Sequence, residues 1–140
     1  MTRTVLPSAL CTLGILAGAS ACAAGADRLA TWATDPRISD AAAIDCVAEA
    51  ELLRQLIKGA RDFNAVASMA TMLEVSSVFA SFTLVLDTRH GEGARMPAIK
   101  ARFGEMQGEY LAHIKSDSYA GATALAQSHV DACKKLLSLK

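Results

Sequence analysis

Three stretches of this chain repeat mostly apolar residues in steps of three and four. They are Ala43, Cys46, Ala50, Leu53 and Ile57; then Ile99, Phe103, Met106, Tyr110 and His113; then Ala122, Ala126, Val130, Cys133 and Leu137. That spacing stacks side chains on one stripe of an α-helix, whereas a strand needs a period of two. Breaks fall where helices should end. Asp40 is placed to cap a first long helix over Ala41 to Lys58, with Gly59 as its stop. Pro97 suits the first turn of a helix reaching Lys115, and Ser116, Asp117 and Ser118 separate it from a last helix over Tyr119 to Leu139. Lys134, Lys135 and Lys140 suit the negative end of that last helix.

Between the first and second of these seams lies AVASMATMLEVSSVFASFTLVL, from about residue 65 to Leu86, capped by Asp62 or Asn64 and apolar on every side, with Glu74 its single charge. A helix apolar all round is either central in a core or inside a membrane. Its length allows a span, but a Glu near the midpoint costs about 2.5 to 3.5 kcal/mol on insertion scales, and Ser and Thr lower the gain further. A central core helix is therefore the expectation, although FTLVL at its end also has strand-like composition. The following DTRHGEGAR reads as a mobile connector. Ahead of the first helix, DRLATWATDPRIS predicts a turn or two of helix and a corner at Pro36, with Trp32 packed over the helices as a lid.

Similar helices with short links favour an all-α, four-helix up-down-up-down bundle. Composition agrees: 52% of the 140 residues are hydrophobic but only 5% aromatic. Much of the apolar content is alanine, which favours helix and lets helices approach closely. Basic and acidic residues balance at 14 each, so no summed positive field exists for a nucleic acid, and none is expected as a partner.

The N-terminus has the layout of a secretory signal. Arg3 precedes an uncharged run from Thr4 to Gly18 and then a cluster of small residues. Residues 1–23 are expected to be a cleaved signal peptide and 24–140 the helical domain, exported to the periplasm or secreted. Ala19-Ser20-Ala21-Cys22 resembles a bacterial lipoprotein cleavage site, although Ala19 stands where a large aliphatic residue is expected. Cys22 is thus a candidate lipidation site, and that lipid is the only membrane attachment expected. Export leaves Cys46 and Cys133 in an oxidising compartment, where they should pair. In an up-down-up-down bundle the first and last helices are antiparallel neighbours, and both cysteines fall about 9 Å from the same end.

Chemistry-bearing residues are sparse. His90 sits between Arg89 and Arg95 without the spacing of a phosphate loop and reads as a solvated histidine. Glu105, Glu109 and His113 form a row in steps of four, but di-metal bundles use Glu-x-x-His pairs, so a surface row is the better account and no metal is assigned. Counting levels along the helices brings Glu74, Glu105 and His129 near mid-bundle. They are the candidate ligand-binding residues, with Met69 or Met72 as a soft axial ligand should haem bind. The haem motif C-x-x-C-H is absent and no cofactor is expected. Without G-x-S-x-G, H-E-x-x-H or a Gly-rich nucleotide loop, the chain is not expected to be an enzyme. Glu49, Glu51, Arg54 and Lys58 lie largely outside the first seam and read as a solvated face.

The resulting expectation is an exported helical protein acting by protein–protein interaction, as an inhibitor, accessory or chaperone-like factor. The alternative is a small-ligand, haem or metal-binding bundle with a mid-bundle polar site. An exposed apolar patch would favour the first and a closed cavity with convergent polar groups the second.

Overall fold

The computed structural model describes residues 18–59, 65–116 and 118–138. These form five helices, α1 (Gly18–Thr34), α2 (Asp40–Gly59), α3 (Ala65–His90), α4 (Met96–Ser116) and α5 (Tyr119–Ser138), and no strand occurs among the described residues. The all-α class holds, with one helix more than the four expected. The expected signal peptide lies mostly on residues 1–17, outside the described residues. Helix α1 takes in Cys22 and is far longer than the turn or two expected.

Local chemistry sets the helix ends. Ser39, rather than Asp40, caps α2: its Oγ accepts from the Ala42 amide at 3.1 Å and its carbonyl from the Ala43 amide at 2.9 Å. Asp40 becomes the first helical residue, where its charge suits the positive end of the helix. Ser118 repeats the device on α5, its Oγ accepting from the Gly121 amide at 2.9 Å. Segment 82–86 is helical, and α3 continues through Asp87–His90, so half of the expected connector is its last turn. Gly91 then takes a φ of +98° and its amide bonds to the Asp87 carbonyl at 2.8 Å, a left-handed helix stop open to glycine. The Asp87 carboxylate accepts from the Gly93 amide at 3.0 Å, closing the link to α4 as an ordered turn.

Helix α2 is the centre of the molecule. It packs against α3, α4 and α5; α4 also meets α5, α3 touches α5 lightly, and α1 lies on α3. A square up-down-up-down bundle would make α3 and α4 neighbours and set α2 diagonal to α4. Here α3 and α4 form no packed pair, and α2 meets α4 directly. The reason lies in α2's small side chains. Ala43 and Ala50 on one side of the helix and Ala48 on another are fully buried, with Val47 and Leu53, so neighbours on several sides can approach its backbone closely.

Helix α3, expected at the centre, is peripheral. Val75, Val78, Phe82, Val85 and Leu86 are buried, but Met69 is 67% exposed, Leu73 69% and Leu84 50%. The stretch Met69–His90 is long and apolar enough to cross a membrane, with a mean hydropathy of 1.6, yet only 28% of that window is buried. Apolarity on all sides reflects one face on the core and another left uncovered.

Candidate functional site

The disulfide between Cys46 and Cys133, with Cα atoms 5.7 Å apart, fastens α2 to α5. The two helices are antiparallel, so one turn onward from Cys46 lies level with one turn back from Cys133. Those positions are Glu49 and His129. His129 Nδ1 lies 2.9 Å from Glu49 Oε1, and Tyr110 on α4 donates its hydroxyl to Glu49 Oε2 at 3.2 Å. The Tyr110 hydroxyl is also 3.1 Å from His129 Nδ1, and the rings meet edge to face with centroids 6.5 Å apart. One carboxylate thus joins three helices, α2, α4 and α5.

Burial decides the electrostatics here. Glu49 is only 7% exposed, which overturns its place on a solvated face: α4 and α5 close over it through Tyr110 and His129. Desolvation raises the Glu49 carboxyl above its ordinary value, and the bonds from His129 and Tyr110 recover part of that. Burial likewise raises the Tyr110 phenol, with the Glu49 charge adding to it. The His129 side chain stays 46% exposed and marks the boundary with solvent. With Glu49 ionised, each carboxylate oxygen accepts a hydrogen bond, Oε1 from His129 and Oε2 from Tyr110, and the carboxylate is satisfied within the protein.

Beside it lies a half-open hollow of about 290 Å³ lined by Glu49, Arg102, Glu109, His113, Leu125 and others. Its charges are largely spoken for. Arg102 donates to Asp45 Oδ1 at 2.8 Å and to Glu105 Oε2 at 3.0 Å, with Glu109 Oε1 3.8 Å away.

The three residues brought level by counting are therefore not brought together. Glu74 pairs with Lys134 at 3.1 Å, Glu105 with Arg102, and His129 with Glu49 and Tyr110. Counting gives height along the bundle but not direction around each helix, and Glu74 sits on the exposed flank of α3. Met69 points outward as well. Among the described residues no group of three or more His, Cys, Asp and Glu is placed to hold a metal ion.

The basic residues around His90 also have an internal partner. Asp40 accepts from Arg89 at 3.0 Å, meets His90 Nε2 at 2.5 Å and lies 3.4 Å from Arg95. Burial alone would raise the Asp40 carboxyl; the bonds from Arg89 and His90 outweigh it and hold it below its ordinary value. Arg89 additionally donates to the Ala33 carbonyl at 2.7 Å and the Trp32 carbonyl at 3.3 Å, closing the open end of α1. Trp32 packs against the core and donates its ring N–H to the Leu137 carbonyl at 3.0 Å, which ties α1 to the end of α5. This cluster is an internal strut rather than an anion site.

The remaining feature is the outer face of α3. Met69, Leu73, Ser76, Ala80 and Leu84 follow steps of three and four along one exposed stripe with no charge in it. Where α3 and α4 diverge, Phe79, Met96, Ile99 and Phe103 line a further hollow of about 280 Å³. Comparison with protein-family models, with curated proteins and with solved structures finds no match to this chain.

Proposed function

We propose that this chain is an exported, non-enzymatic helical protein that works by binding another protein through the uncovered face of α3. The observation that carries this reading is the row of Met69, Leu73 and Leu84, large apolar side chains at half exposure or more on one side of one helix. Single exposed apolar residues are ordinary, but an aligned row leaves roughly 25 cal/mol per Å² of burial unrealised until something covers it. Roles as an inhibitor, accessory or chaperone-like factor all use such a surface. Export is supported by the charge and apolar layout of the N-terminus and by the disulfide, a bond that persists in oxidising compartments. Cys22, should it carry lipid, is the membrane tether.

The hollow beside His129 is the observation that favours the alternative, a small-ligand binder. Its one guanidinium, Arg102, is already shared among Asp45, Glu105 and Glu109, and His129 is taken by Glu49, which leaves an incoming ligand few donors to engage.

A photo-reactive amino acid at position 73 in the full chain, expressed in its own host, tests the proposal. Irradiation is expected to join position 73 to a protein while the same group at position 101, exposed on α4, gives no adduct. Equal labelling from both positions, or none from 73, would count against it.

A further inference from the structure

Helix α4 carries Met96, Ile99, Lys100 and Phe103 at intervals that place all four on one face. That face borders the gap between α3 and α4, which form no packed pair. Phe79 of α3 and Glu51 of α2 line the other sides, so large apolar side chains from two helices converge on a half-open hollow of about 280 Å³. A second hollow of about 270 Å³ adjoins it, sharing Phe79 and Glu51 and reaching Val75. Together they come into the range of small-molecule pockets, roughly 300 to 1,000 Å³. Met69, Leu73 and Leu84 line neither hollow, so what binds here is independent of what covers the α3 stripe.

The two charges at the first hollow differ in their commitments. Arg54 donates to Glu51 Oε2 at 2.7 Å and to Oε1 at 2.5 Å, and Gln55 donates to Oε1 at 3.1 Å, so Glu51 is fully engaged. Lys100 is exposed and has no ion-pair partner among the described residues. Its own helix supplies none, since the positions three and four residues away are Met96, Pro97, Phe103 and Gly104. The mouth of an apolar hollow therefore carries one uncommitted positive charge. We infer that this hollow binds a free aliphatic monocarboxylate, its hydrocarbon chain among Phe79, Met96, Ile99 and Phe103 and its carboxylate on Lys100. A single ammonium fits a monoanion, whereas a phosphate would bring a second negative charge that nothing at the mouth meets. At roughly 30 Å³ per carbon-sized group, the share of one water in the liquid, the first hollow takes a chain of about nine carbons, and the second gives room for a longer one.

Isothermal titration calorimetry of the full chain, purified with its disulfide intact, against sodium decanoate below its micellar concentration tests the inference. One decanoate per chain is expected to bind, with a negative heat-capacity change. Octanoate should bind about fifteenfold more weakly, since each methylene removed costs roughly a factor of four. Lys100→Gln should weaken decanoate binding about fivefold and leave decanol binding and the helical circular dichroism unchanged. In carbon-13 methyl spectra decanoate should shift Met96 and Ile99 and leave Met69 in place. Four results would each overturn the inference: no binding at millimolar decanoate, equal affinity for octanoate and decanoate, equal weakening of decanoate and decanol by Lys100→Gln, or shifts at Met69 with Met96 unmoved. Flotation with phosphatidylcholine vesicles by a chain that takes up no free decanoate would overturn it as well, and would make the hollow a membrane contact.

Discussion

Removing the disulfide perturbs this fold in a way whose size follows from chain length alone. Cys46 and Cys133 are 87 residues apart in sequence, and their bond closes in the unfolded state a loop that takes in α3, α4 and most of α2 and α5. In the chain-entropy model a loop of that length is worth about 4.5 kcal/mol at 25 °C. Replacing both by alanine should lower stability by about that amount, against a total of roughly 5 to 15 kcal/mol for a domain of this size. In a thermal melt the shift should be roughly 15 to 20 °C. Urea unfolding followed by circular dichroism separates the mechanism from simple loss of packing. Relief of the restraint expands the unfolded chain, so the slope of stability against urea should steepen along with the fall in midpoint. Reduction of the native protein by dithiothreitol should reproduce the double variant. A loss below about 1 kcal/mol with unchanged slope would refute the reasoning, since the unfolded chain would then be no freer without the bond.

Other expectations are as definite. Phe82 is fully buried where α3 meets the core, and Phe82→Ala should cost about 3 to 5 kcal/mol, read from the urea midpoint. Glu49 and Asp40 should set opposite pH dependences. The raised Glu49 carboxyl makes the folded state bind its proton more tightly, so its penalty is absent below the ordinary glutamate value and grows as pH rises through the folded one. Asp40 is held low, so its contribution is present above the ordinary aspartate value and is lost as pH falls. Glu49→Gln keeps the shape and a bond to Tyr110 but removes the charge. Its stability relative to the native chain should therefore increase from about pH 4.5 upward, and parallel curves from pH 4 to 8 would show that the carboxylate carries no such penalty.

Much of this fold is written in the spacing of residues. The steps of three and four locate α2, α4 and α5 to within a residue or so at each end, because a buried stripe, a capping Ser or Asp and a stopping Gly are all local signals. The disulfide is legible too, from two seam cysteines at matching heights. What spacing does not reveal is which helix lies in the middle. Hydropathy points to α3 because it is apolar all round, but centrality here depends on small size, and Ala43, Ala48 and Ala50 make α2 the helix that three others can touch. Glu49 is hidden in the same way: beside Glu51, Arg54 and Lys58 it looks solvated, but α4 and α5 close over it at its own level through Tyr110 and His129. A signal for it was nonetheless present: once Cys46 and Cys133 are joined across antiparallel helices, the residues a turn from each must meet, and these are Glu49 and His129.

Methionine oxidation tests most directly whether the α3 face is the working surface. Met69 lies in the exposed stripe and Met106 is buried, so dilute hydrogen peroxide should oxidise Met69 rapidly in isolated chain at nanomolar concentration and leave Met106 intact. In the native host, where the partner is present, Met69 should be protected nearly as well as Met106. Equal and rapid oxidation of Met69 in both settings would mean that nothing covers α3, and would contradict the account.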